Sequence, residues 1–129
     1  MSAAKGPHLP DLEQNKNIES EDAKRLRVRE LNDALRKRCV GGQVLATRGI
    51  GMLPAPLVAR IFEAVGAFND FTEDNDPWGE HDCAAIEVDG IRVIWKIDYY
   101  DRTMTAGSPD PSDPLLTLRV LTVMRAEEY

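Results

Sequence analysis

The chain is poor in the features that announce a function. It holds two cysteines, Cys39 and Cys83, and two histidines in 129 residues. Two cysteines set no zinc-type spacing, and in a chain expected to be cytosolic they are expected to be free thiols. There is no H-E-x-x-H, no C-x-x-C and no complete EF-hand loop. Asp74, Asp76 and Gly79 begin like a calcium loop, but the closing bidentate acid is missing. Gly49-Ile50-Gly51 lacks the third glycine of a dinucleotide fingerprint. The carboxylate that a nuclease strand would place two positions before Lys96 is replaced by Ile94. No apolar run approaches the length of a membrane span, so no membrane contact is expected. The first 17 residues carry no apolar core, so no export signal is read there and a cytoplasmic location is expected.

Basic residues are also in deficit, 16 against 22 acids, for a net charge of −6. That balance speaks against direct nucleic-acid binding, which needs a basic face to displace counterions. The charge is unevenly spread. Residues 20–40 carry seven bases (Lys24, Arg25, Arg27, Arg29, Arg36, Lys37, Arg38) against four acids, whereas residues 69–113 carry twelve acids against three bases. One end of the fold is expected to be positive and the other negative.

What is present suits one α+β domain. The hydrophobic share, 43%, is that of an ordinary globular chain, long enough to fold without a staple. Residues 1–19 are polar and aperiodic and read as a flexible tail, with a domain over 20–129. Ser20 is placed to cap a helix running to about Arg38, with Ala23, Leu26, Val28, Leu31, Ala34 and Leu35 on its apolar side and Gly41-Gly42 stopping it. A short strand is expected over 43–48. Pro54 and Pro56 open a second helix that buries Leu57, Ile61, Ala64, Val65 and Phe68 and ends near Phe71. Residues 72–82 form an acidic, turn-rich loop.

Two β-type runs, 83–88 and 91–98, meet at Asp89-Gly90, the favoured chemistry for a type I′ hairpin. That turn fixes the register: Val88 faces Ile91, Glu87 faces Arg92, Ile86 faces Val93 and Ala84 faces Trp95. Ile86, Val88, Ile91, Val93, Trp95 and Ile97 then share an apolar face. Residues 116–124 read as a strand, with a helix from Pro114 as the competing assignment. The order α-β-α-β-β-β predicts a small antiparallel sheet with two helices packed on one face.

Extending the hairpin towards its open end sets Cys83 opposite Lys96 and His81 opposite Asp98. Glu80, His81, Asp82 and Asp98 thereby form a candidate ligand set for a divalent metal, or an acid–base pair. The plainer alternative is a structural His–Asp hydrogen bond closing the hairpin. Asp74, Asp76, Trp78, Tyr99, Tyr100 and Asp101 form a candidate interaction surface, with Trp78 its best anchor.

From Val28 to Tyr129 the chain resembles a family of small bacterial proteins of unknown function, found in alphaproteobacterial genomes and plasmids. The stretches that carry the resemblance are Arg29-Glu30-Leu31-Asn32-Asp33, Phe71-Thr72, Asp74-Asn75-Asp76-Pro77-Trp78-Gly79-Glu80-His81-Asp82, and Trp95-Lys96-Ile97-Asp98-Tyr99-Tyr100-Asp101. Gly107-Ser108, Asp110-Pro111, Asp113-Pro114, Arg119-Val120-Leu121-Thr122 and Glu127-Glu128-Tyr129 add to it. Cys83 and Ala84 depart from it, where an aromatic and a glycine are expected. The resemblance implies an intracellular bacterial setting and carries over no activity. Three functions are therefore weighed. The first is a non-enzymatic interaction or regulatory module with a protein partner. The second is a metal-dependent hydrolase centred on His81 and Asp98. The third is an acidic nucleic-acid mimic acting against a defence enzyme. No catalytic residue and no cofactor beyond a divalent metal is assigned, and the oligomeric state is left open.

Overall fold

The computed structural model describes residues 21–129. The expected tail and the Ser20 cap lie outside them. Helix α1 spans residues 21–38. Strand β1 is Gln43–Ala46, and a single turn, α2, follows at Arg48–Gly51. Helix α3 runs Ala55–Ala67. Strands β2 (Cys83–Val88), β3 (Ile91–Tyr100) and β4 (Leu118–Arg125) complete one sheet in the order β1-β4-β3-β2. A 3-10 turn over Ala126–Glu128 follows β4. Among the described residues no helix is long and apolar enough to cross a membrane.

The fold is α+β as expected, but the sheet is mixed. β2–β3 and β3–β4 are antiparallel, whereas β1 joins β4 in parallel. The antiparallel expectation followed chain order, and β1 does not pair with its successor. It fills the free side of β4, reached through α2, α3 and the whole hairpin, and such a crossover leaves the two strands parallel. The expected strand over 116–124 forms as Leu118–Arg125, with 116 in a turn, and it is strand and not helix because it pairs on both sides, with β1 and β3.

The hairpin register holds at every expected pair from Val88–Ile91 to Cys83–Lys96. Asp89 and Gly90 both take positive φ, 51° and 81°, the left-handed geometry that a type I′ turn requires. The helices cover one face of the sheet. Leu35, Ile50, Ile61 and Val65 meet Val93, Trp95, Ile97, Leu121 and Val123 there.

Two local expectations change. α1 does not bury Leu26, which is half exposed; its inward stripe is Val28, Asn32, Leu35 and Arg36. The spacing is helical, but two of the four buried residues are polar. The helix ends at Cys39 in the left-handed region, with its amide on the Leu35 carbonyl at 2.9 Å, before the glycine pair. α3 ends at Ala67 because Phe68 turns extended.

Candidate functional site

α1, the 72–82 loop and the ends of β3 and β4 meet in a polar cluster beside the core. Asn32, fully buried, is its centre. Its Nδ2 donates to the Glu80 carbonyl (3.0 Å) and to the Tyr99 hydroxyl (2.8 Å), and its Oδ1 accepts from Arg119 Nε (2.8 Å). The Tyr99 hydroxyl in turn donates to the Glu80 carboxylate at 2.8 Å. Arg119 lies over the Tyr99 ring, 5.1 Å from its centroid, and donates to the Pro111 carbonyl. Burial pushes the Tyr99 phenol far above its ordinary value, with the Glu80 charge adding to the shift. Burial pulls Arg119 down, opposed by Tyr99 and Glu80.

A second branch carries His81. Its Nδ1 lies 3.0 Å from Asp33 Oδ1 and its Nε2 3.8 Å from Asp76 Oδ2. Its ring stacks on Phe71 with centroids 3.8 Å apart and planes 5° from parallel. Asp33 also accepts from the Arg36 guanidinium at 3.0 Å. Arg36 donates as well to the carbonyls of Val65, Gly66 and Phe68, holding the C-terminal end of α3. Buried Asp76 gathers the loop: its carboxylate accepts the backbone amides of Glu80 (3.1 Å) and His81 (3.2 Å). Arg29 Nε donates to the Gly79 carbonyl at 2.6 Å.

The expected ligand set is therefore dispersed. The ladder stops at Cys83: the Asp82 carbonyl still accepts the Ile97 amide at 2.7 Å, but His81 takes φ +56° and swings to α1. So His81 faces Asp33 and Asp76 instead of Asp98. Glu80 is held by Tyr99, and Asp98 pairs with Lys96 at 2.9 Å. Among the described residues no three His, Cys, Asp or Glu side chains are placed to hold a metal ion. Burial raises the Asp82 carboxyl, and the nearby charges of Glu80, Asp76 and Asp98 add to the rise. Burial and the charges of Asp82 and Asp76 raise the Cys83 thiol, so it stays protonated and weakly nucleophilic.

The six expected surface residues also separate. Asp74 is exposed and Trp78 is 67% exposed. Asp76 is 8% exposed and acts as the loop's internal acceptor. Tyr99 turns inward with the core face of β3, and Tyr100 lies on the opposite face, bridged to Gly107. Asp101 closes a turn, its carboxylate accepting from Thr103 and Thr105. These hydrogen bonds hold Asp101 below the usual carboxylate range, that from the Thr105 amide foremost.

Asn32, Asp33, Arg36 and Arg119 are the site residues that motif reading left unassigned. Two signals point to them. Asn32 and Arg36 sit at the inward spacing set by Val28 and Leu35. Arg119 shares the strand alternation of buried Leu121 and Val123.

A family model described as a protein of unknown function (DUF3768) covers residues 46–128. No curated protein and no solved structure matches the chain.

Proposed function

We propose that this chain, which belongs to the DUF3768 family of proteins of unknown function, is a non-enzymatic interaction module that presents its 72–82 loop to another protein. In this reading it works in the cytoplasm of a bacterium, as a regulatory or accessory component.

The observation that carries the reading is Trp78. An indole 67% exposed lies on a loop fixed from below by Asp76 and from the side by Arg29, with Arg25 over its ring at 5.5 Å. A large aromatic held in place loses little entropy on binding and makes a strong anchor. Glu73 and Asp74, exposed on the same loop, add negative charge to the surface it presents. The polar cluster behind it suits a scaffold better than a reaction centre. Both His81 nitrogens face carboxylates, and the Tyr99 phenol and Cys83 thiol are held in their protonated forms.

The test is affinity capture from the native host with the parent chain, with Trp78→Ala, and with Glu73→Lys/Asp74→Lys. The reading expects the same folded stability and loss of a specific co-purifying protein in both variants. Folded variants that retain every partner of the parent would reject it.

A further inference from the structure

The outer edge of β2 points to a second copy of the chain. Among the described residues nothing pairs with that edge, since β2 ends the sheet. In a hairpin closed by a two-residue turn, the pair next to the turn exchanges both backbone hydrogen bonds. Val88, Ile86 and Ala84 therefore use their amides and carbonyls on β3, whereas Glu87, Ala85 and Cys83 direct theirs away from it. Sheet edges are usually guarded by proline, lysine, a bulge or a very short strand. This one runs six residues as Cys-Ala-Ala-Ile-Glu-Val, with Glu87 its single charge and no proline, lysine or bulge.

We propose that the chain is a twofold dimer in which β2 pairs antiparallel with the β2 of a second copy, centred on Ala85. The centring follows from which groups are free. Ala85 then faces the partner's Ala85, and Cys83 faces the partner's Glu87, so all three outward residues on each side find mates. Small residues meet at the axis, and no like charges oppose each other. The charge pattern is self-complementary as well. Cys83 is paired with Lys96 on β3, and Glu87 with Arg92. Across the seam the row reads Lys96, Cys83, the partner's Glu87, the partner's Arg92, so the glutamate has Arg92 of its own chain on one side, a neutral thiol on the other, and no acid opposite it.

A two-strand seam by itself is small beside the roughly 1,200 Å² of a stable interface. The structure offers more. A groove of about 410 Å³ lies between α3 and the turn end of β2, lined by Arg60, Glu63, Ala64, Ala67 and residues 87–89. The twofold axis that joins the strands brings the two α3 helices together over this groove. Arg60 is paired with Asp89 of its own chain across this groove, so Glu63 and the alanines Ala64 and Ala67 are what α3 offers the second copy. The other free edge, β1, has only four residues.

The test is sedimentation equilibrium of the full chain at micromolar concentration. The expected mass is twice the 14.4 kDa of one chain; a chain that stays monomeric overturns the proposal. Ala85→Pro removes an amide that β3 does not use and is expected to give a monomer. Because proline can disturb β2, two further variants are read with it. Glu87→Lys sets lysine near Lys96 of the second copy and is expected to weaken the dimer at least about tenfold. Ala85→Cys, in a chain with Cys39→Ser and Cys83→Ser, is expected to form a covalent dimer on mild oxidation, since directly opposed residues of such a pair lie about 5.5 Å apart between Cα atoms. A dimer that survives Glu87→Lys at full strength and does not cross-link through position 85 also overturns the proposal. Trp78→Ala leaves this seam untouched, so the dimer and the loop surface succeed or fail separately.

Discussion

Arg119 on β4 donates from Nε to the Oδ1 of Asn32 on α1 at 2.8 Å, and neither side chain reaches solvent. This contact ties the first described helix to the central strand of the sheet. It also sets the fate of the groups around it. Remove the Asn32 amide and Arg119 loses an acceptor, while Tyr99 and the Glu80 carbonyl lose a donor. Asn32→Ala should therefore destabilise the protein by about 2–4 kcal/mol, since it strands a buried charge as well as neutral partners. Urea unfolding measures it. A loss below about 1 kcal/mol would mean that water reaches the cluster.

His81 gives a prediction about metals. With Nδ1 on Asp33 and Nε2 facing Asp76, the ring serves the loop. His81→Ala removes the stack on Phe71 and one hydrogen bond, a loss of about 1–2 kcal/mol. A ligand that binds only the folded chain raises the unfolding midpoint. Mg²⁺, Mn²⁺, Zn²⁺ and Ni²⁺, each compared with chelator, should leave the same small differences in parent and variant. A rise seen in the parent and absent in His81→Ala would place a metal site here and reverse the assignment.

Asp82 predicts a pH dependence. Burial lifts its carboxyl above the ordinary value, with a hydrogen bond from its own backbone offsetting part of the rise. The folded chain then binds this proton more tightly than the unfolded chain. The group's contribution to stability is greatest at low pH and falls as pH climbs from the ordinary carboxylate range through the raised folded value. Asp82→Asn removes that fall. The variant should melt a few degrees above the parent at pH 7, with the gap closing near pH ~4. Melting both proteins across that range decides it; a gap that widens on acidification would contradict the sign.

The hairpin was readable because its determinants are local. Asp89-Gly90 sets the turn, the turn sets the register, and alternation then assigns Trp95 to the core. The parallel placement of β1 was not readable, because it depends on which side of β4 is left open once β3 has docked. The cluster was half readable. His81 stands out by type, but strand alternation points it at Asp98, whereas its own positive φ turns it to Asp33, 48 positions earlier. Asn32 and Arg119 carry no such signal by type, because polar residues on a helix or a strand ordinarily face solvent. Their burial becomes meaningful only when α1 is laid against β4 and each finds the other.

Arg36 makes the strongest case that this cluster is structural. Its side chain is buried, with the guanidinium over the Trp95 ring at 5.0 Å. One nitrogen reaches the carbonyls of Val65 and Phe68, both at 2.8 Å, and another reaches Asp33. The carbonyls at a helix C-terminus carry partial negative charge and lack intrahelical partners, so a cation there satisfies both needs. Lysine keeps the charge but has a single ammonium and no planar fork, and it cannot span α3 and Asp33 together. Arg36→Lys should therefore lose about 1–3 kcal/mol, and Arg36→Ala more, because the carbonyls at the end of α3 are left unpartnered in a buried setting and Asp33 keeps only His81. The loss should show as faster amide exchange in the last turn of α3 before any change in the β2–β3 hairpin. Equal exchange in both regions would mean that Arg36 supports the whole fold evenly and does not act as the clamp between α1 and α3.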